Sequence, residues 1–162
     1  MLDLDLDKVT ATLEHLNTRT EKSGPDDVPA ATVKVSCAQS ADVLAYFSPE
    51  LRGFLFDTEG PKDLAGGMSI RNPHLEYPIG LDHEMTGATV MVEYGVSKPI
   101  EFSDCTVNNF KITPMEGGTV VLGFQVHCKP DEKQIGKLYL LQKKGITLTI
   151  EPAELPAMKD AA

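Results

Sequence analysis

Four histidines (His15, His74, His83 and His127) and three cysteines (Cys37, Cys105 and Cys128) are the side chains of this chain best suited to hold a metal ion or attack a carbonyl. None of them falls at the CxxC or HxxxH spacing that brings ligands to one ion, so no metal set is expected. His127 and Cys128 are adjacent in an alternating segment, which turns their side chains to opposite faces of a strand. Cys128 therefore reads as core and His127 as solvated surface. Cys105 follows Asp104, but nucleophilic catalysis needs a base and an orienting group, and no histidine is tied to this pair by a motif. Asp82-His83-Glu84 reads as a solvated turn. Gly66-Gly67 and Gly117-Gly118 lack the Lys-Ser/Thr that completes a phosphate-cradling loop, so they read as turn formers. We expect no catalytic residues, no metal and no cofactor.

What remains is recognition by charge. Fifteen Lys and Arg against 24 Asp and Glu leave a net charge of -9, which repels phosphate backbones at long range and favours basic partners. The absence of Trp further weakens any single-strand stacking platform. The expected contact residues are Asp3, Asp5 and Asp7 at the start of the chain, Asp57, Glu59 and Asp63 in a Gly- and Pro-rich stretch, and Asp82 and Glu84 in the acidic triplet. A basic host or phage protein is the expected partner, with direct nucleic-acid binding disfavoured. Leu2, Leu4 and Leu6 alternate with three aspartates; they either open the first strand or add an edge strand to a partner or to a second copy, which would make a homo-oligomer.

The chain has 162 residues and 41% hydrophobic content, the size of one domain with a real core. We assign 1–152 to a single β-rich domain and 153–162 to a flexible tail. Met1 to Asp7 have neither the basic nor the apolar region of a signal peptide, no apolar run reaches the length that spans a bilayer, and three widely spaced cysteines fit reduced thiols, so the expected location is the bacterial host cytosol.

The elements that must position these residues follow from periodicity. Val9, Ala11 and Leu13 alternate with polar residues over 8–22, Ser23-Gly24-Pro25-Asp26-Asp27 reverses the chain, and 30–37 returns as the second strand of a hairpin with a longer loop. From Val43 to Leu55 the apolar period becomes helical; Ser40 is the expected N-cap, and Ser48-Pro49 implies two short helices, or one kinked near Ser48. Residues 57 to 73 show no periodicity and form the longest loop. Further strands are expected over 75–82 and 88–95, with Val90, Val92 and Tyr94 sharing a face.

After Pro99 the apolar parity shifts twice: Ile100 and Phe102 are even, Cys105 and Val107 odd, Phe110 and Ile112 even again. Two bulges, near Ser103 and near Asn108-Asn109, would bring all six to one face. Val120, Leu122, Phe124, Val126 and Cys128 then alternate strictly. Pro130, Asp131 and Glu132 start a helix with the stripe Ile135, Leu138 and Leu141; Lys143, Lys144 and Gly145 end it, and Ile146, Leu148 and Ile150 form a last strand. The expected fold is α+β and mainly β: a bent antiparallel sheet or sandwich of about seven strands, with helical insertions after the second and sixth.

The segments Lys8-Val9-Thr10-Ala11-Thr12-Leu13-Glu14-His15-Leu16-Asn17-Thr18-Arg19-Thr20-Glu21-Lys22 and Cys128-Lys129-Pro130-Asp131-Glu132-Lys133-Gln134-Ile135-Gly136-Lys137-Leu138 resemble small accessory proteins of tailed phages and prophages. The resemblance implies an accessory gene product of a phage, which either blocks a host defence or acts on phage DNA metabolism; with no catalytic set in the sequence, the expected reading is a non-enzymatic protein that acts by protein contact and inhibits a host nucleic-acid-targeting defence. The alternatives are an accessory of phage DNA metabolism or single-strand binding, and a protein that sequesters a nucleotide or other small ligand. The acidic balance favours the first.

Overall fold

The computed structural model describes residues 4–57, 69–96 and 98–153. Two long strands come first, β1 (Leu6–Ser23) and β2 (Asp26–Ser40), followed by a 3-10 helix (Ala41–Tyr46) and the short helix α1 (Leu51–Leu55). The strands β3 (Phe56–Asp57), β4 (Ser69–Ile70), β5 (Ile79–Leu81), β6 (Met85–Glu93), β7 (Ile100–Met115) and β8 (Thr119–Cys128) come next. Helix α2 (Glu132–Leu140) and β9 (Lys144–Glu151) complete the order.

The main sheet is neither an open bent sheet nor a sandwich, because it closes on itself. β7 pairs with β6 on one edge and β8 on the other, while β1 pairs with both β2 and β9. The ring therefore runs β1–β2–β8–β7–β6–β9 and back to β1, antiparallel throughout. Closure satisfies the backbone groups that an edge strand would leave unpaired. β5 extends the sheet beside the second half of β7.

Both expected bulges in β7 are present. Asp104 (φ 53) sits where the β6 register shifts, and Asn109 (φ 55) where the β8 register shifts. The extra residues bring Ile100, Phe102, Cys105, Val107, Phe110 and Ile112 onto the interior face, all buried. On β8 the strict alternation likewise buries Val120, Leu122, Phe124, Val126 and Cys128.

Several local expectations are corrected. The first hairpin turns on two residues, not a longer loop: Ser23 pairs with Asp26, and Gly24 (φ 67) takes the left-handed conformation that so tight a reversal needs. The strand expected over 75–82 is only Ile79–Leu81. Helix α2 stops before Gly145; Lys143 takes the left-handed conformation (φ 67), and Gly145 lies inside β9. The two ends of the long loop are ordered as the β3–β4 ladder, which brackets residues outside the described set. Leu4 and Leu6 are buried, so at the described positions that alternation leads into β1 inside the barrel rather than forming an edge strand, and Leu2 lies outside the described residues.

The helical segments plug the two mouths. At one mouth the 3-10 helix is capped by Ser40, whose hydroxyl accepts from the Asp42 amide. Ala41 N donates to Gly118 O at 2.9 Å, and the Phe47 ring lies 5.0 Å from that of Phe110. At the other, α2 buries Leu138 among Val33, Phe102 and Val126. Its exit is fixed by Lys143 N donating to Leu13 O and Leu16 N donating to Gln142 Oε1. A capping box holds its start, with Gln134 N donating to Asp131 Oδ1 and Asp131 N donating to Gln134 Oε1.

Candidate binding surface on the outer face of the barrel

Inside the barrel, where Leu138 of α2 enters it, the described side chains leave a void of about 10 Å3, lined by Val33, Val90, Phe102, Val126, Leu138 and their neighbours. That is no more than the roughly 10–15 Å3 that a single water molecule requires. Small closed barrels are filled by side chains in this way. The three thiols belong to this core. Burial raises Cys37 to about 11; burial and then the Asp104 carboxylate raise Cys105 to about 11; burial raises Cys128 most, to about 12. None carries thiolate at neutral pH, so none has the ionised sulfur that a nucleophile needs. Among the described residues no group of three His, Cys, Asp or Glu is placed to hold a metal ion.

The outer face of β1, β2, β8 and β7 is different, because its polar side chains interlock. Arg19 Nη1 donates to Thr32 Oγ1 at 2.7 Å, and Thr32 Oγ1 lies 3.0 Å from His127 Nδ1. His127 Nε2 lies 2.8 Å from Asn108 Oδ1, and Asn108 Nδ2 donates to Glu84 Oε2 at 3.2 Å. A neutral imidazole carrying its hydrogen on Nε2 gives every donor an acceptor, so the bonds run in one direction from the guanidinium to the carboxylate. Burial, and after it the Arg19 charge, hold the His127 pKa below its ordinary value against Glu84 and Glu21. His127 is thus not the solvated imidazole expected from its position; it is half-buried with both ring nitrogens engaged. Beside this row lies a hollow of about 470 Å3 lined by Arg19, Thr86, Gly87, Asp104, His127 and Lys129 among others. Two bulged positions with left-handed backbone, Gly87 (φ 71) and Asp104 (φ 53), form part of its wall.

A second hollow, of about 350 Å3, opens across β8. Val121 and the backbone of Gly123 and Phe124 form its floor, the Phe124 ring itself being turned into the core; Lys34 of β2 and Lys111 of β7 stand on either side, with Asn109, Thr113, Gln125 and Pro78 around them. Asn109 Nδ2 donates to Gln125 Oε1 at 2.8 Å. Sequence reasoning did not find this hollow. Lys34 and Lys111 are 77 positions apart in the chain, and only the β2–β8 and β7–β8 pairings bring them to one strand. The available signal was Gly123, a glycine inside an otherwise unbroken strand pattern.

The residues expected to make contact are spread around the barrel and form no single patch. Asp5 and Asp7 are exposed where β1 meets the end of β9. In the ring β9 stands three strands from β8 by either path. Asp57 is half-buried in the β3–β4 ladder with Arg71 Nη2 at 3.9 Å. Asp82 and Glu84 are exposed between β5 and β6, and Glu84 also holds Asn108. His83 between them is not solvated: its ring lies 5.9 Å from Phe47 and 5.6 Å from Phe110. Asp3, Glu59 and Asp63 lie outside the described residues.

Among the described residues no helix is long and apolar enough to cross a membrane. The chain matches no protein-family model, no curated protein and no solved structure.

Proposed function

We propose that the chain is a non-enzymatic accessory protein of the tailed-phage type, which acts by contact with a basic, nucleic-acid-binding protein in the host cytosol and inhibits a host defence that targets nucleic acid. The filled barrel is the observation that carries this reading. With about 10 Å3 of interior void and a helical segment in each mouth, recognition falls to the outer surface. A net charge of -9 favours a basic surface as the complement, and complementary fields speed encounter and suppress wrong partners.

The test is capture of a tagged copy from nuclease-treated bacterial lysate over a salt series, with wild type beside two charge reversals, Asp5→Lys with Asp7→Lys, and Asp82→Lys with Glu84→Lys. We expect wild type to retain a basic nucleic-acid-processing protein. At least one reversal should weaken retention at low salt, and the difference should shrink once the Debye length falls below about 8 Å. Equal retention by both reversals at every salt, or retention that disappears with nuclease, would reject this reading.

A further inference from the structure

We propose that the hollow floored by Gly123 is a binding site for a nucleotide phosphate, carried either by a free nucleotide or by a single strand. Gly123 has no internal reason to be glycine. It sits in the middle of β8, paired to Ser36 on one side and Lys111 on the other, without a left-handed backbone. A Cβ added there would meet nothing closer than Val35 O at 3.8 Å, ordinary contact. Glycine weakens the interior of a strand and serves where another molecule approaches the backbone closely. Here its effect is to keep the floor of the hollow open.

The walls define the ligand. Lys34 and Lys111 stand on strands two spacings apart, about 10 Å, and both are exposed. Neither has a carboxylate within 4.0 Å among the described residues, and the hollow's lining contains two cations and no acid in a chain of net charge -9. That pair selects an anion. The apolar side chains of Val121 and Pro78 beside the bare Gly123 backbone suit a flat ring, and the joined amides of Asn109 and Gln125 present donors and acceptors at its edge. Asn109 is held in a left-handed conformation at a bulge, a device that re-aims a side chain and is common beside functional sites. A nucleotide combines a phosphate, a flat apolar face and a polar edge. An acidic peptide adding as a strand is excluded, since β8 is paired on both sides. The site is independent of the partner reading above, because it rests on neither Asp5 and Asp7 nor Asp82 and Glu84.

The experiment titrates the folded protein separately with a short oligothymidylate and with thymidine monophosphate, following backbone amide shifts and, for the oligonucleotide, fluorescence anisotropy over a salt series. The expected result is shifts concentrated at Lys34, Asn109, Lys111, Gly123 and Gln125. Oligonucleotide affinity should fall with salt at a log–log slope near -1.4, about 0.7 for each of two neutralised phosphates. Lys34→Glu with Lys111→Glu should weaken binding by at least about tenfold and remove that slope. Gly123→Val should fill the hollow and do the same. Lys22→Glu with Lys137→Glu makes an equal change of charge at the hairpin tip and on α2, and should retain binding. Shifts at the same five residues with equal affinity for the mononucleotide support the site and identify the free nucleotide as its source. Absence of shifts there with either probe overturns the proposal. So does an equal loss in the two lysine pairs, whether or not the Gly123 variant folds.

Discussion

Cys128 and His127 are neighbours in the chain and occupy opposite environments. Cys128 is in the core with its thiol pushed up to about 12, so at pH 8 the folded chain should resist iodoacetamide at all three cysteines and accept three adducts after denaturation. Mass spectrometry of the two samples checks this. Because these thiols ionise above their ordinary value of 9.0 when folded, stability is full below that pH and declines as pH rises past it, where the unfolded chain releases protons first. His127 works in the other direction. Its folded pKa lies below the ordinary 6.5, so as pH falls through that value the unfolded chain gains a proton that the folded one resists, and stability drops. Chemical denaturation between about pH 5 and 8 should show this loss on the acid side, and His127→Gln should flatten it. The core role of Cys128 was legible from alternation alone. The engagement of His127 was not, because Thr32 and Asn108 reach it only through pairing of β8 with two strands distant in sequence.

Among the elements, β7 was the most fully legible. Its apolar residues change parity twice, and a strand with one buried face can absorb such a change only by bulging; Asp104 and Asn109 take up the extra residues. Helix α2 was legible from Pro130-Asp131-Glu132, and its capping box makes Asp131 a testable part. Asp131→Ala should cost about 1 kcal/mol, read as a lower midpoint in urea with an unchanged slope. The first turn was misread because Ser23, Asp26 and Asp27 look like loop residues, yet Gly24 and Pro25 alone make the reversal and the flanking residues extend the ladder. Loop composition is shared by short and long connections, so composition could not set the length.

For the whole molecule, periodicity showed which face of each strand is buried and was silent on which strands are neighbours. Open sheet, sandwich and barrel all bury alternate residues, and what distinguishes them here is the β7–β8 pairing, which closes the strand order β7–β6–β9–β1–β2–β8 into a ring. The plug at the α2 mouth is part of this closure. Leu138→Ala should destabilise the fold by about 2–5 kcal/mol, because the rigid strand ends around it cannot collapse onto the space left; thermal or urea unfolding measures the loss. The ring has one more consequence. Leu6 faces Ile150, so the opening and closing strands of the described chain lie side by side. A circularly permuted gene, with a short linker joining those two strands and new termini cut into the Gly117-Gly118 turn, would keep every rung of the barrel while reversing the order in which β8 and β1 leave the ribosome.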